Sequence, residues 1–382
     1  MLRKGFNVLI DGQWGSTGKG KVAAFIALNN TIDIAVSDFQ ANAGHTTVFD
    51  DGRKFVVHQL PTSAMNEDTL VCVNPAATIN LDRILKEIDM FNLDESRLKI
   101  DGNACIIQEE HVNKEKIGSD MVRISSTLQG VGEALSQKVA RRSGVMLARD
   151  VDKLRPFIAC TSAIINEGLA SGATVLAETA QGFDLSINHG RKYPFVTSRD
   201  ITVGSTLNNC GVSPIWLSEV IGVLRTFPIR VGNVVVNGEL VGYSGEYYED
   251  QKELTWEELT EACGADVLLQ EKTTVTQKVR RIFTFSEKQF MKFYVMNMPT
   301  QLAITFIDYL DYALHGATQL NRHEVIKNFA VGEFLNNITL LANKWLYHIT
   351  TSTSMRRISP LRTTYLGTGE KMSQCCYTAE SF

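Results

Sequence analysis

The fold is decided by residues 6–29, which read FNVLIDGQWGSTGKGKVAAFIALN. The run from Phe6 to Ile10 is apolar with little alternation, a pattern typical of a strand that is buried on both faces. A glycine-rich turn follows, and residues 22–30 continue with helix-forming side chains. A buried strand, a tight turn and a helix in this order predict an α/β protein.

The rest of the chain alternates between similar segments. Further strands are predicted at IDIAVSDF (32–39), KFVVHQLP (54–61), TLVCVNP (69–75), TVLAETAQG (174–182), NVVVNGEL (233–240) and LAITFIDYL (302–310). Helices are predicted at LDRILKEIDMF (81–91), SPIWLSEVIGVLRTF (213–227) and EYYEDQKELTWEELTEAC (246–263). This order favours a large, mainly parallel central sheet with flanking helices and small excursions. Because no repeat or low-complexity linker interrupts it, we expect residues 1–382 to form a single domain.

Composition excludes several classes of protein. The chain has 382 residues, 44% of them hydrophobic, and a formal net charge of -4. A protein that tracks nucleic acid phosphates usually has a basic excess, whereas 38 Lys+Arg here face 42 Asp+Glu. No apolar run approaches the roughly 18–20 residues that span a bilayer, and the N-terminus has no signal-peptide core. We therefore expect a cytoplasmic protein that binds neither nucleic acid nor membranes.

The turn after the first strand has the features of a phosphate cradle. It contains Gly12, Gly15, Gly18 and Gly20 beside Lys19 and Lys21. Small residues let backbone N–H groups point at an anion, a helix N-terminus adds partial positive charge, and lysine neutralises phosphate oxygens. The spacing departs from the standard P-loop because five residues separate Gly12 from Gly18, and Gly20 replaces the usual hydroxyl residue.

Several motifs, in order along the chain, resemble those of the adenylosuccinate synthetase family. They are GQWGSTGKGK (12–21), NAGHT (42–46), SST (125–127) with KVARR (138–142), AQG (180–182), HG (189–190) and YPFVTS (193–198). The correspondence extends from about residue 6 to residue 373. In this family a purine triphosphate phosphorylates O6 of a 6-oxopurine monophosphate, and aspartate then displaces the phosphate. The resemblance therefore implies a carbon–nitrogen ligase that requires Mg²⁺.

The resemblance also implies roles for individual residues. Catalytic roles fall on Ser16, Lys19, His45 and Gln181. Triphosphate contacts fall on Gly15, Ser16, Thr17, Gly18, Lys19, Gly20, Lys21, Gly44, His45, Thr46, Arg280, Phe306, Asp308, Gly367, Thr368 and Gly369. Monophosphate contacts fall on Ser16, Asn42, Ala43, Thr127, Arg141, Gln181, Leu185, Thr197 and Lys278. Aspartate contacts fall on Thr274, Val275, Thr276, Gln277, Lys278 and Arg280, and Mg²⁺ contacts fall on Ser16 and the Gly44 carbonyl. Arg141 matches an arginine that the second subunit contributes, which implies a homodimer.

Ser16 is the most informative departure from the family pattern. Ordinary members have an aspartate there, which takes the N1 proton of IMP and ligates magnesium. Serine is smaller and neutral, and it can accept a hydrogen bond from the 2-amino group of guanine. It resembles the viral branch of the family, which joins aspartate to dGMP with ATP or dATP and forms the precursor of 2-aminoadenine DNA. We therefore predict dGMP as the acceptor.

The donor site departs as well. The family motif Thr-Lys-x-Asp, which reads guanine, is here Thr305-Phe306-Ile307-Asp308, and Glu370 replaces a proline after Gly367-Thr368-Gly369. Phe306 can stack on any purine, so ATP or dATP becomes a credible donor beside GTP. Two alternatives stay open at this point. One is an ordinary adenylosuccinate synthetase acting on IMP and GTP, and the other is a non-catalytic sensor of purine nucleotides.

Overall fold

The computed structural model describes residues 2–42, 44–48, 54–273, 278–317, 322–352 and 362–365, with residues 48, 119, 322, 323, 326, 345–352 and 362–365 described by their backbone alone. The strands are β1 (Gly5–Asp11), β2 (Ile34–Asp38), β3 (His45–Val48), β4 (Lys54–Val57), β5 (Leu70–Val73), β6 (Thr78–Ile79), β7 (Leu98–Asp101), β8 (Cys105–Ile106), β9 (Ile158–Ala159), β10 (Thr174–Thr179), β11 (Leu217–Arg225), β12 (Ile229–Arg230), β13 (Val234–Val236), β14 (Glu239–Gly242), β15 (Glu253–Leu254), β16 (Arg281–Phe283), β17 (Gln301–Thr305) and β18 (Arg362–Tyr365). The helices are α1 (Lys19–Asn29), α2 (Leu81–Met90), α3 (Glu109–Ile117), α4 (Ser119–Arg123), α5 (Val131–Val139), α6 (Thr161–Ala170), α7 (Val203–Cys210), α8 (Trp256–Cys263), α9 (Glu287–Asn297), α10 (Arg322–Lys327) and α11 (Phe329–Ser352).

A parallel sheet forms the centre of the molecule. Among the described residues it has nine strands in the order β18-β17-β11-β1-β10-β2-β5-β7-β9, and every neighbouring pair is parallel. This confirms the predicted α/β fold with a large central sheet. Because parallel strands end at the same edge of the sheet, the segments after β1, β2, β10, β11 and β17 meet there.

Both faces of the sheet are covered, as the continuous apolar run of β1 predicts. Val8 and Ile10 lie in one core with residues of α6, α7, α9 and α11. Leu9 points to the other face, where it packs with Val22, Ala23 and Phe25 of α1. Helix α1 thereby holds the glycine-rich turn against the end of β1. No helix in the described ranges is both long and apolar enough to cross a membrane.

Three of the predicted elements need correction. The helix predicted at 213–227 is wrong, because Leu217–Arg225 is strand β11 beside β1. A short apolar run that is buried on both faces has no periodicity to separate strand from helix. The segment 233–240 contributes a separate hairpin of β13 and β14 around Asn237-Gly238, with φ of 52° and 83° at the turn. The acidic helix is shorter than predicted, since it begins at Trp256 after a Thr255 cap.

Candidate active site

Asp11, the last residue of β1, shapes the glycine-rich turn. Its fully buried carboxylate accepts hydrogen bonds from the backbone N–H groups of Gln13 (2.8 Å), Gly15 (3.3 Å) and Thr17 (3.4 Å), and from the Thr17 hydroxyl (2.6 Å). The chain then passes through left-handed conformations at Ser16 (φ 56°) and Gly18 (φ 79°) before α1 begins. The Asp11 carboxylate is therefore occupied by hydrogen bonds within the turn, whereas Ser16 is the exposed residue of the turn.

Lys19 is buried at the start of α1 and reaches across to the turn after β10. Its Nζ donates to the Gln181 carbonyl oxygen at 2.8 Å. Burial lowers the pKa of Lys19, while the nearby charges of Asp11 and Glu178 act in the opposite direction. The turn after β10 also fits closely against the glycine-rich turn, because a Cβ added at Gly182 would lie 2.2 Å from Gly15 N.

His45 packs against Gly20 at the start of α1 and is held by a carboxylate that the sequence did not single out. Its Nδ1 is 2.6 Å from Glu178 Oε1, and both side chains are buried. Glu178 also accepts from the Thr62 backbone N–H (2.7 Å) and the Thr62 hydroxyl (3.0 Å). The ring of Phe39 packs edge-on against the imidazole at 4.4 Å. This arrangement fixes the ring and makes Nε2 the nitrogen that can exchange a proton with a bound group.

Gly20 explains why the turn departs from the standard P-loop. A Cβ at this position would lie 2.8 Å from His45 Cβ, closer than real Cβ contacts come. A serine or threonine would therefore displace His45. The imidazole and the usual P-loop hydroxyl exclude one another in this fold.

The Gly20→Ala variant tests this close approach. We expect initial reaction rates about 10²-fold below wild type, because a displacement of about 1 Å at a catalytic group costs roughly that factor. The matched control is Gly204→Ala in α7, where the nearest atom to an added Cβ is 3.8 Å away. A Gly20→Ala enzyme that folds and keeps full activity would contradict this account of His45.

The residues assigned to the monophosphate include several buried polar atoms that lack a partner. Within the described part of the chain, no hydrogen bond reaches Asn42 Oδ1, Gln181 Oε1 or Thr197 Oγ1. Buried polar atoms are normally paired, so these three are suited to a polar ligand. Thr127 and Leu185 are half-buried, while Arg141 is exposed in a left-handed conformation (φ 55°).

A buried ion pair holds the segment that carries Thr197. Arg199 Nη1 donates to Asp38 Oδ1 at 2.8 Å, at the end of β2. Asn74 and Asn209 donate to the same carboxylate at 2.8 and 3.2 Å. Asp38 thereby ties the 197–199 segment to the edge of the sheet that carries Asn42.

The donor-base residues Phe306 and Asp308 follow β17. Asp308 is 1% exposed, and burial raises the pKa of its carboxyl. Its Oδ2 is 3.0 Å from His315 Nδ1, whereas Oδ1 is buried without a partner in the described residues. The phenyl ring of Phe306 lies beside the glycine-rich turn, 3.6 Å from where a Cβ of Gly18 would stand.

The segment assigned to aspartate is a narrow two-stranded loop. Arg280 N donates to the Glu271 carbonyl at 2.9 Å, and Thr273 N donates to the Lys278 carbonyl at 2.9 Å. Lys278 and Arg280 are half-buried, and burial lowers the pKa of Arg280. The tip at Thr274, Val275, Thr276 and Gln277 lies outside the described residues, as do Ala43, Gly367, Thr368 and Gly369.

The remaining assigned residues lie around the same edge of the sheet. Gly44 is exposed beside His58, and Thr46 is half-buried in β3. Lys21 is near enough to Asp308 to lower the pKa of that carboxyl, although burial has the larger, opposite effect.

Four charged residues that hold the site together were not identified from the sequence: Asp11, Glu178 and the ion-paired Arg225 and Glu271. Glu178 stands inside the apolar run TVLAETAQG, where a charged side chain signals a buried partner. Arg225 similarly ends the apolar run of β11. Glu271 lies in a polar loop and gives no such signal.

Comparison with known proteins identifies the family of this chain. A family model for adenylosuccinate synthetase matches residues 8–151 and 146–316. The N6-succino-2-amino-2'-deoxyadenylate synthase of Acinetobacter phage SH-Ab 15497 is 34% identical in an alignment of length 334 that covers 79% of this chain and 84% of that protein. The adenylosuccinate synthetase of Methanococcus aeolicus is 33% identical over 316 residues, 81% of this chain and 87% of that one.

A solved structure is also similar. The succinoaminodeoxyadenylate synthetase of cyanophage S-2L, bound to dGMP and to dATP as an energy donor, aligns with a TM-score of 0.70 and 31% identity. The alignment covers 80% of this chain and 85% of that one. The chain therefore belongs to the adenylosuccinate synthetase family of carbon–nitrogen ligases.

Proposed function

We propose that the enzyme joins L-aspartate to C6 of dGMP, driven by ATP or dATP, and forms N6-succino-2-amino-2'-deoxyadenylate for 2-aminoadenine DNA. The observation that carries this proposal is Ser16, a small neutral residue at the exposed position of the glycine-rich turn. Its hydroxyl can accept a hydrogen bond from a purine 2-amino group, which an aspartate would crowd. The phage relative from Acinetobacter and the cyanophage enzyme with bound dGMP support the same acceptor.

In the first step the γ-phosphoryl group passes to O6 of dGMP. The transferring group carries spread negative charge that the enzyme must match. Lys19 supplies a fixed positive charge beside the Gln181 carbonyl, and the N-terminus of α1 adds partial positive charge. His45, oriented by Glu178, contacts the transferring group through Nε2. The unpartnered Oε1 of Gln181 fits a role in holding the purine near O6.

Mg²⁺ fits the donors assigned to it. The Ser16 hydroxyl and the Gly44 carbonyl are exposed oxygen ligands. Among the described residues, no group of three or more His, Cys, Asp or Glu could hold a metal. Mg²⁺ commonly uses one or two protein ligands and completes its shell with water and substrate phosphates. When bound, it would neutralise charge on the phosphates during transfer.

In the second step the amino group of aspartate attacks C6 and phosphate leaves. Lys278 and Arg280 stand on the two-stranded loop and supply positive charge for the two carboxylates. Lys278 is a point charge and imposes little geometry, whereas the planar guanidinium of Arg280 can pair with a carboxylate through two parallel hydrogen bonds. Arg280 therefore determines the orientation in which the aspartate carboxylates bind. The residues 274–277 complete this subsite in our proposal.

The hydrogen bonding of Asp308 favours ATP or dATP as the phosphate donor. Guanine offers two neighbouring donors, N1–H and the 2-amino group, which together match both oxygens of a carboxylate. His315 already occupies Oδ2, so Oδ1 is the oxygen open to a single donor such as the adenine 6-amino group. Phe306 provides an aromatic ring that accepts either purine.

We also propose that residues 1–382 act as one domain in a homodimer. Arg141 is exposed, as a side chain that completes the site of a second subunit would be. It lies in a left-handed conformation just after α5 ends at Val139. The proposed substrates are metabolites of the cytoplasm, which for a viral enzyme is that of the host.

A substrate panel tests the proposed function. Purified enzyme with aspartate and Mg²⁺ is given dGMP or IMP, each with ATP, dATP or GTP, and release of phosphate is followed. We expect dGMP to be consumed with ATP and dATP, at rates at least tenfold above any rate with IMP or with GTP. A preference for IMP would support an ordinary adenylosuccinate synthetase, and no phosphate release from any pair would support a nucleotide sensor.

A further inference from the structure

Arg225, the last residue of β11, lies under the point where three parts of the site meet. Its side chain is fully buried. Nη1 donates to the Ser16 carbonyl at 3.0 Å and to Glu271 Oε2 at 3.3 Å, while Nη2 donates to Glu271 Oε1 at 2.5 Å. The guanidinium also stacks on the Phe306 ring, 3.7 Å from its centroid. One side chain therefore contacts the glycine-rich turn (12–21), the loop assigned to aspartate (271–280, here called the aspartate loop) and the donor-base segment (305–308).

The position of Arg225 is itself fixed by the turn. Gln13 Nε2 donates to the Arg225 carbonyl at 3.0 Å, and the Arg225 backbone N–H donates to Gln13 Oε1 at 3.0 Å. This pair of bonds locks the end of β11 to the turn that Asp11 shapes. Because the Arg225 backbone is held in this way and its side chain is buried, the guanidinium is fixed in position. The groups bonded to it are therefore fixed relative to one another.

Glu271 connects Arg225 to the aspartate loop. It stands at the base of the two-stranded segment, because its carbonyl accepts the Arg280 N–H at 2.9 Å. Its carboxylate also accepts the Tyr309 hydroxyl at 3.0 Å. Burial opposes ionisation of Glu271, but the charges and hydrogen bonds of Arg225 hold the pKa of this carboxyl below its usual value. The buried Arg225 and the half-buried Glu271 thus form an ion pair between the loop and the sheet.

We propose that Arg225 and Glu271 are positioning residues that hold the aspartate loop and the donor-base segment in fixed relative positions. The aspartate site and the triphosphate site then depend on the same ion pair. This inference rests on the proposed roles of Arg280 and Phe306. Among the residues assigned to the monophosphate, Thr197 stands outside the pair, because it is held through Arg199 and Asp38 on the other side of β1. Ser16 is bonded to Arg225 and not to Glu271, so removal of the Glu271 charge affects the aspartate and triphosphate sites more than the monophosphate site.

The first variant is Glu271→Gln, which keeps the shape of the side chain and removes its charge. The second is the double variant Arg225→Met with Glu271→Leu, since apolar residues of similar volume commonly preserve stability when they replace a buried ion pair. Tyr309→Phe removes one hydrogen bond and leaves the ion pair in place. The matched control is Glu253→Gln on β15, which disrupts a similar two-bond ion pair. Glu253 accepts from Arg281 Nη2 at 2.6 Å and from Arg281 Nε at 2.7 Å.

We expect Glu271→Gln and the double variant to raise KM for both aspartate and ATP at least tenfold. In Glu271→Gln, where Arg225 keeps its bond to the Ser16 carbonyl, we expect the dissociation constant of dGMP to stay within twofold of wild type. Tyr309→Phe should raise the same two KM values by a smaller factor, and Glu253→Gln should leave them within twofold. Unchanged KM values in a folded variant, a rise for only one substrate, or an equal loss of dGMP binding in Glu271→Gln would overturn the proposal. Wild-type enzyme with no activity on dGMP would refute the proposed function instead.

Discussion

Replacing His45 by alanine is expected to lower kcat by about 10²- to 10⁴-fold, the range in which a positioned acid–base group contributes. The ring is held between Glu178 and Phe39, so its Nε2 is presented in one orientation. Alanine removes this nitrogen and leaves the buried Glu178 with Thr62 as a partner. The measurement is kcat for phosphate release from ATP and dGMP with aspartate present.

Two further measurements separate catalysis from folding. The melting temperature of His45→Ala reports the loss of packing, and the dissociation constant of dGMP reports whether the monophosphate site survives. Glu178→Gln provides a graded control, because the amide keeps a partner for Nδ1 but no longer stabilises a charged ring. We expect its kcat to lie between those of wild type and His45→Ala. A folded His45→Ala enzyme with kcat within threefold of wild type would exclude His45 from the chemistry.

The sequence predicted those features that depend on local pattern. The apolar run from Phe6 to Ile10 and the glycine-rich turn after it appear as the centre of a parallel sheet and the start of α1. Motifs at strand ends also gathered as expected, because the carboxyl ends of parallel strands share one edge. Lys19 and Gln181 are 162 positions apart in the chain yet joined by a hydrogen bond.

Features that depend on tertiary pairing were not accessible in the same way. Strand β11 was misread as a helix, since its apolar residues face helices on both sides of the sheet and show no alternation. The partner of His45 is 133 positions away, and the partner of Arg225 is 46 positions away in a polar loop. A sequence reveals that a buried charge needs a counter-charge, but the fold determines which one it meets.

Changing Ser16 to aspartate is expected to reverse the choice of acceptor. We expect kcat/KM for dGMP to fall by at least about 10²-fold and measurable activity with IMP to appear, because the larger side chain crowds the 2-amino group and overpacking of this kind typically costs about 1–3 kcal/mol. The carboxylate would also supply the proton acceptor for purine N1 and a charged oxygen for Mg²⁺. Ser16 is exposed with φ 56°, a conformation that aspartate tolerates better than most residues, so the turn should persist.

Ser16→Asn distinguishes the two effects that aspartate combines. Asparagine has nearly the same size and tolerates the same backbone conformation, but it is neutral and cannot take the N1 proton. If crowding excludes dGMP and charge enables IMP, Ser16→Asn should lose activity with dGMP and gain none with IMP. If instead Ser16→Asp keeps its preference for dGMP, the acceptor is selected by residues other than Ser16. Asp11 is unsuited to replace the missing base, because its two oxygens already bind Gln13, Gly15 and Thr17 inside the turn.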